Sequence, residues 1–224
     1  MTPIFITGIG TDVGKTVISA IVTEALAGAY WKPVQAGFDQ GTDTEWVAAR
    51  LSHPEAMVVP KEAYRLRMPA SPHIAARKEN IVIDLDLIHR QFLEIRSGLP
   101  ATTEYLIIEG AGGAMVPLNE SEFVINLVKK LNAKVILVSR NYLGSINHSL
   151  LTAAVCKAQG LDVAGWIFNG DPSGYEEEIA RWSGIPGRLS IPFTEEPGKA
   201  FIAEQARKVR TPLLMLLQSP FERL

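Results

Sequence analysis

Nine residues near the N-terminus, Gly8-Ile9-Gly10-Thr11-Asp12-Val13-Gly14-Lys15-Thr16, constrain the fold more than any other stretch of the chain. They stand between an apolar run at 4–7 and a helical pattern at 15–26. In that pattern Val17, Ile18, Ile21, Val22 and Ala25 recur at spacings of three and four. A strand, a glycine-bearing turn and a helix start in immediate succession gather backbone N–H groups around one point. The helix N-terminus adds unpaired donors and positive potential, so the turn is built for a phosphate. With Gly14-Lys15-Thr16 at the helix start, the segment reads as a P-loop for a nucleoside triphosphate, formed by Asp12, Val13, Gly14, Lys15, Thr16 and Val17. Its lysine neutralises charge on the β- and γ-phosphates, and its threonine hydroxyl coordinates Mg²⁺. The usual spacing would put a glycine where Ile9 stands. Gly8 lies one residue further back, so the loop is a longer variant.

The rest of the chain has the organisation such a loop needs. Runs at 105–108, 135–138 and 163–168 are apolar along their whole length, as strands buried on both faces are. A further short strand is expected at 30–32. Helical patterns cover 44–51, 84–96, 123–131 and 145–158. The alternation predicts an α/β, P-loop NTPase-type three-layer fold, with a mostly parallel sheet, helices on both faces, and one domain over 1–224. Right-handed crossovers then place the functional loops at the C-terminal ends of the strands. The stretch 53–81, with Pro54, Pro60, Pro69 and Pro72, reads as an irregular excursion, and 213–217 as a final strand or a short helix.

Charge narrows the partners. With 22 basic and 24 acidic residues the formal net charge is −2, so no polyanion-binding surface is expected and nucleic acid is excluded as a partner. No stretch reaches the roughly 18 apolar residues of a membrane span. The first residues have no basic segment before an apolar run, so no signal peptide is read and a cytoplasmic enzyme is expected. The single cysteine, Cys156, falls in an apolar helical pattern and reads as a core thiol. His53, His73, His89 and His148 lack metal-ligand spacing, and Trp46, Trp166 and Trp182 read as packing residues.

Magnesium takes oxygen ligands and keeps several waters. Glu109 ends the apolar run at 105–108, and Gly110-Ala111-Gly112-Gly113 follow it, a run that permits close backbone approach to a ligand. A carboxylate there faces the P-loop in a sheet of this type; the competing reading is a capping or surface glutamate. Asp43, in Gly41-Thr42-Asp43-Thr44, reads by position first as a helix N-cap and second as a metal ligand. Lys32 opens Lys32-Pro33-Val34-Gln35-Ala36-Gly37 directly after a strand. A second lysine near the phosphates would bind an anionic substrate or stabilise charge developing during transfer. Spacing alone leaves a solvated surface lysine equally open.

Together these segments resemble the dethiobiotin synthetase family. The resemblance rests on Gly8 through Thr16, Lys32-Pro33-Val34, Asp43, Ser71-Pro72-His73, Glu109-Gly110-Ala111-Gly112-Gly113, Leu143-Gly144-Ser145-Ile146-Asn147-His148 and Gly165-Trp166-Ile167-Phe168-Asn169, in that order and across nearly the whole chain. It implies an enzyme that uses ATP, Mg²⁺ and CO₂ to close a cyclic urea on the diamine 7,8-diaminononanoate. It also implies roles. Lys15 and Lys32 are catalytic and flank the carbamate and the transferring phosphoryl. Thr16, Asp43 and Glu109 hold Mg²⁺, which reverses the capping reading of Asp43. Thr11 lies near the carbamate. Gly110, Ala111 and Gly112 join the nucleotide site, Asn169 reads adenine through its amide, and the loop from Pro192 closes over the base. Gly144, Ser145, Ile146 and Asn147 open a helix that receives the substrate carboxylate across a homodimer interface, as helix N-termini receive anions.

The chain departs from the family pattern at several points. Gly10 stands where members often have aspartate, Asp12 where they have glutamate, Ala36 where many have serine or threonine, and Ala114 where an aromatic residue often follows the glycine pair. The rival reading is a switch or partition-type P-loop ATPase. Such proteins carry a further lysine near the start of the loop, and residues 7–11 contain none.

Overall fold

The computed structural model describes residues 1–53, 62–170 and 174–218. In chain order the elements are β1 (Thr2–Gly8), α1 (Lys15–Leu26), β2 (Ala29–Trp31), β3 (Val34–Ala36), α2 (Asp43–Ala48), β4 (Tyr64–Leu66), α3 (Pro72–Lys78), α4 (Leu85–Gly98), β5 (Tyr105–Gly113), α5 (Val124–Lys130), β6 (Lys134–Ser139), α6 (Ser145–Ala158), β7 (Val163–Asn169), α7 (Tyr175–Ser183), β8 (Arg188–Ile191) and α8 (Lys199–Gln218). Six strands form one sheet in the order β2-β5-β1-β6-β7-β8, and β3 pairs with β4 in a separate ribbon. Every pairing is parallel.

Alternation along the strands sorts the apolar side chains into two layers. Ile4, Ile6, Tyr30, Ile107, Ile136 and Ile167 pack on the face covered by α1, α2 and α8. Phe5, Trp31, Ile108, Leu137, Trp166 and Phe168 pack on the other, under α3 to α7. The three-layer α/β arrangement expected from the sequence is therefore present, with β1 central between β5 and β6. Register then builds the site. Tyr30 pairs with Ile107, Trp31 with Ile108, and Ile6 with Glu109. Counting by twos from Tyr30 and Ile107 places Lys32 and Glu109 on the same face, next to α1.

Several expectations need correction. Glu109 does not end its strand: β5 runs on through Gly113, paired with Gly8 beyond a register shift. Between Glu109 and Gly113 the strand is not uniformly extended, since Gly112 takes φ 71°. The stretch 53–81 is not irregular throughout, since β4 and α3 lie in it. Pro72 begins α3, where its missing N–H costs nothing; Pro54 and Pro60 lie outside the described residues. Residues 213–217 are neither a strand nor a separate short helix. They complete the 20-residue α8, which continues through Pro212. An apolar stripe of Ile202, Ala206, Val209, Leu213 and Leu216 stays buried past the proline, and that burial outweighs one lost backbone hydrogen bond. Asp43 is not an N-cap. Thr42 caps α2, accepting from the N–H of Glu45 at 3.1 Å, while the Glu45 carboxylate accepts from the N–H of Thr42 at 2.8 Å. Trp166 is buried as expected, whereas Trp182 is 52% exposed. Among the described residues, no helix is long and apolar enough to cross a membrane.

Cys156 lies fully buried on α6, and burial pushes its thiol up to about 12. Thiolate is the reactive form. Native protein at about pH 8 should therefore resist iodoacetamide and take up one adduct only after unfolding in guanidinium. Equal labelling of native and unfolded protein, by mass spectrometry, would contradict the buried placement.

Candidate active site

The loop between β1 and α1 is shaped by Gly14. Its φ is 91°, in the left-handed region, and a Cβ there would lie 2.0 Å from Nδ2 of Asn169. Only glycine meets both demands. Asn169, at the end of β7, donates from Nδ2 to the Val13 carbonyl at 3.1 Å and so locks the loop to the sheet. Asp12 also takes a left-handed conformation, with φ 59°. Gly14 stands at the N-cap of α1 without a capping side chain, so the first helical N–H groups are left for an anion.

Beside this cradle sits a buried charge cluster. Glu109 is 1% exposed. Its Oε1 accepts from Thr16 Oγ1 and from Lys32 Nζ, each at 2.9 Å, and its Oε2 accepts from the Tyr30 hydroxyl at 2.8 Å. Lys32 Nζ also donates to Asp43 Oδ2, and the Asp43 N–H donates to Gln35 Oε1 at 3.1 Å. Burial alone would lower the pKa of Lys32, but the Glu109 and Asp43 carboxylates outweigh it and the net shift is upward. Lys15 behaves oppositely. Its ammonium donates to the Gly10 carbonyl at 2.7 Å, and burial, partly offset by Glu109, lowers its pKa to about 8. Tyr30 is driven well above its ordinary value by burial and by Glu109, so it remains a proton donor.

Apart from the buried Tyr30, these side chains line one cavity of about 830 Å³. Thr11, Asp12, Gly14, Lys15, Thr16, Val17, Lys32, Asp43, Glu109, Ala111, Gly112, Asn169 and Pro192 all face it. Val13 contributes its carbonyl behind the loop, and Gly110 is buried against Phe5, where a Cβ would lie 2.8 Å from Cε1. Gly144, Ser145, Ile146 and Asn147 do not line the cavity. They open α6, with Gly144 at φ 101°, beside the fully exposed Leu143. Ser71 and Pro72 reach the cavity, and Ser71 Oγ lies 3.0 Å from Nδ1 of His73.

Sequence reasoning missed Tyr30, which holds Glu109 without lining the cavity, and Gln35, Arg140 and Phe193, which line it; it took Trp46 for packing although Trp46 also lines the cavity. Two signals were available. Tyr30 stands two residues before Lys32, which follows directly on β2, and so shares its face. Arg140 follows directly on the apolar run of β6, at the strand end where ligands bind.

The donor set suits a divalent cation. Two carboxylates and one hydroxyl converge, with Lys32 already bridging the carboxylates as a cation. Among the described residues no group of three or more His, Cys, Asp or Glu side chains gathers to hold a metal, so protein carboxylates alone do not complete a coordination shell here. A magnesium ion held by few protein oxygens, with phosphate and water completing its shell, matches this set.

A strand–loop–helix anion cradle at the centre of a parallel sheet defines a P-loop NTPase-type protein. One solved structure with this fold is a chain of the MinC:MinD cell division protein complex of Aquifex aeolicus, at TM-score 0.57 and 17% identity, covering 100% of this chain and 99% of that one. A family model described as an AAA domain matches residues 2–199. The ATP-dependent dethiobiotin synthetase BioD of Christiangramia forsetii is 44% identical over 208 residues, 91% of this chain and 95% of that protein. The enzyme of the same name from Cytophaga hutchinsonii is also 44% identical, over 92% of this chain and 95% of its own. The chain belongs to the ATP-dependent dethiobiotin synthetase family.

Gly14→Ala should lower nucleotide affinity by at least about tenfold, because the new methyl meets Asn169 and strains the loop. Calorimetry with an ATP analogue checks this, and an unchanged affinity would refute the geometry assigned to the loop.

Proposed function

We propose that the protein carboxylates 7,8-diaminononanoate with CO₂ and closes the cyclic urea of dethiobiotin at the expense of ATP. The observation that carries this reading is the second buried lysine. Lys32 is 5% exposed, remains cationic between Asp43 and Glu109, and shares the cavity with the P-loop lysine. A phosphate cradle that only hydrolyses ATP has no evident use for it, whereas a reaction between two anions does.

The chemistry follows in three steps. One substrate amine attacks CO₂, forms a C–N bond and releases a proton, leaving a carbamate. A carbamate oxygen attacks the γ-phosphorus in line; the bond to the β-phosphate oxygen breaks, ADP departs, and a carbamic–phosphoric anhydride remains. The second amine then attacks the carbonyl carbon, the ring closes, and phosphate leaves with the electron pair of the broken C–O bond. Between the reacting groups the burden is electrostatic. Two anions must approach, and charge spreads over the transferring phosphoryl oxygens.

The residues divide this work. Lys15 and the first N–H groups of α1 bind the β- and γ-phosphates. Lys32 brings its charge to the carbamate and the phosphoryl, with Thr11 lining the same space. Thr16, Asp43 and Glu109 would hold Mg²⁺, which would supply further charge neutralisation on the phosphate oxygens. Asn169, fixed by Val13, and the segment from Pro192 take the base. Ala36 lines the cavity without a hydroxyl, so contact there falls to backbone or water. The opening of α6 is the proposed receptor for the substrate carboxylate, in a homodimer. Its support is placement: Gly144 to Asn147 lie off the cavity beside Tyr142, Leu143 and Leu151, which are 41%, 103% and 58% exposed. A second copy would cover that patch and complete the site.

Phosphate release from MgATP and bicarbonate should depend on 7,8-diaminononanoate and yield a product at the dethiobiotin mass. Release indifferent to the diamine would sink the ligase and leave a switch ATPase. Lys15→Ala and Lys32→Ala should each lower turnover by about 10² or more, as lost transition-state charge stabilisation does. They should differ in binding. Lys15→Ala weakens ATP and Lys32→Ala spares it, and unchanged turnover in the latter would remove Lys32 from the reaction.

A further inference from the structure

The hydrogen bonds on Glu109 divide by oxygen. Oε1 faces the cavity groups, accepting from Thr16 Oγ1 and Lys32 Nζ. Oε2 faces away from them and accepts from the hydroxyl of Tyr30 at 2.8 Å. Tyr30 has no exposed surface and lies on β2, held in register against Ile107 of β5. Its ring belongs to the apolar cluster that also contains Ile4, Ile6, Ile18 and Ile107, a setting that suits phenylalanine as well. A hydroxyl placed there must be dehydrated, and the dehydration is offset only by a strong acceptor. The phenol finds one, since a bond to a carboxylate is about twice as strong as a neutral one.

We propose that Tyr30 is a positioning residue for the metal-binding carboxylate, occupying Glu109 Oε2 so that Oε1 alone is presented to a divalent cation. The inference rests on the reading of Glu109 as a Mg²⁺ ligand, direct or through water. Its consequence is selectivity. Mg²⁺ requires near-octahedral geometry and single-oxygen ligation, whereas Ca²⁺ accepts a carboxylate through both oxygens. A carboxylate pinned at one oxygen favours the smaller ion. Tyr30 touches neither nucleotide nor substrate in this arrangement; it acts through Glu109.

The test is the affinity for a non-hydrolysable ATP analogue, by calorimetry, in wild-type protein and Tyr30→Phe. Each is measured with chelator, with Mg²⁺ and with Ca²⁺. With chelator the two proteins should agree within about twofold, while the gain from Mg²⁺ should fall about tenfold in the variant, the usual scale for an outer-shell ligand partner. The gain from Ca²⁺ should hold or rise, so the Mg²⁺/Ca²⁺ ratio falls. An unchanged ratio in folded Tyr30→Phe overturns the proposal, because loss of packing alone would weaken both ions together. No metal-dependent gain in the wild type would instead overturn the metal site itself, and this inference with it. Thermal unfolding identifies a variant that fails to fold. Tyr30→Met, which fills the space without a hydroxyl, then takes its place, and failure of both to fold overturns positioning in favour of packing.

Discussion

Everything around the cavity depends on satisfying one buried carboxylate. Removing Glu109 from water costs several kcal/mol, and that cost is recovered only if every oxygen finds a donor in good geometry. Three donors come from three places in the chain: Thr16 from the first turn of α1, Lys32 from just beyond β2, and Tyr30 from within β2. None could reach it without the parallel register of β2 on β5 and the placing of α1 over that face. The fold and the charge cluster are therefore one construction. Loss of a single donor would leave a buried charge partly unpaired, which is worse than having no charge there.

The two lysines show how the same residue type is set to different tasks by its neighbours. Lys32 has two carboxylates, and they hold it protonated despite burial. Its charge is already compensated, so an arriving anion meets a fixed and oriented ammonium. Lys15 has a backbone carbonyl as its direct partner, and burial leaves it easier to deprotonate, at about 8. That lysine lacks a full counter-charge until phosphates arrive. On the proposed reaction, Lys15 would hold the polyphosphate and Lys32 would meet charge that appears during the reaction, a distinction that matters because only the second kind of contact accelerates chemistry.

The sheet, its helices and the phosphate cradle were legible because apolar runs and the Gly-Lys-Thr helix start are local signals. Lys32, Asp43 and Glu109 were legible only as a set, in order along the chain, and the structure adds the contact between them. Other features depend on context that no window of sequence holds. Gly110 to Gly113 extends β5 beyond Glu109 and meets β1 again at Gly113 only after a register shift in which Gly112 takes φ 71°. Thr42 rather than Asp43 caps α2, a difference of one residue that frees the aspartate for Lys32. Pro212 looks like a helix stop, yet buried leucines on both sides of the following turn keep α8 intact.

The cavity's far end works by different physics from its charged end. Trp46, Phe193 and Phe201 supply apolar surface there, and two guanidinium groups hold the surrounding segments. Arg50 stacks on Trp46 at 3.9 Å while its Nε donates to the Pro197 carbonyl at 2.9 Å, and Arg140 sits 4.6 Å from the ring of Phe193. Contacts of this kind contribute roughly 0.5–1 kcal/mol each near the surface. They are weaker than the charge-assisted hydrogen bonds on Glu109, which contribute about 1.5–3 kcal/mol each. The described ties of the segment from Pro192 to Pro197 are thus weaker than those at the phosphate cradle. The asymmetry fits a reaction whose phosphate groups must be aligned in line while the base need only be retained, because a small misalignment at the reacting atoms costs far more rate than looseness at the purine.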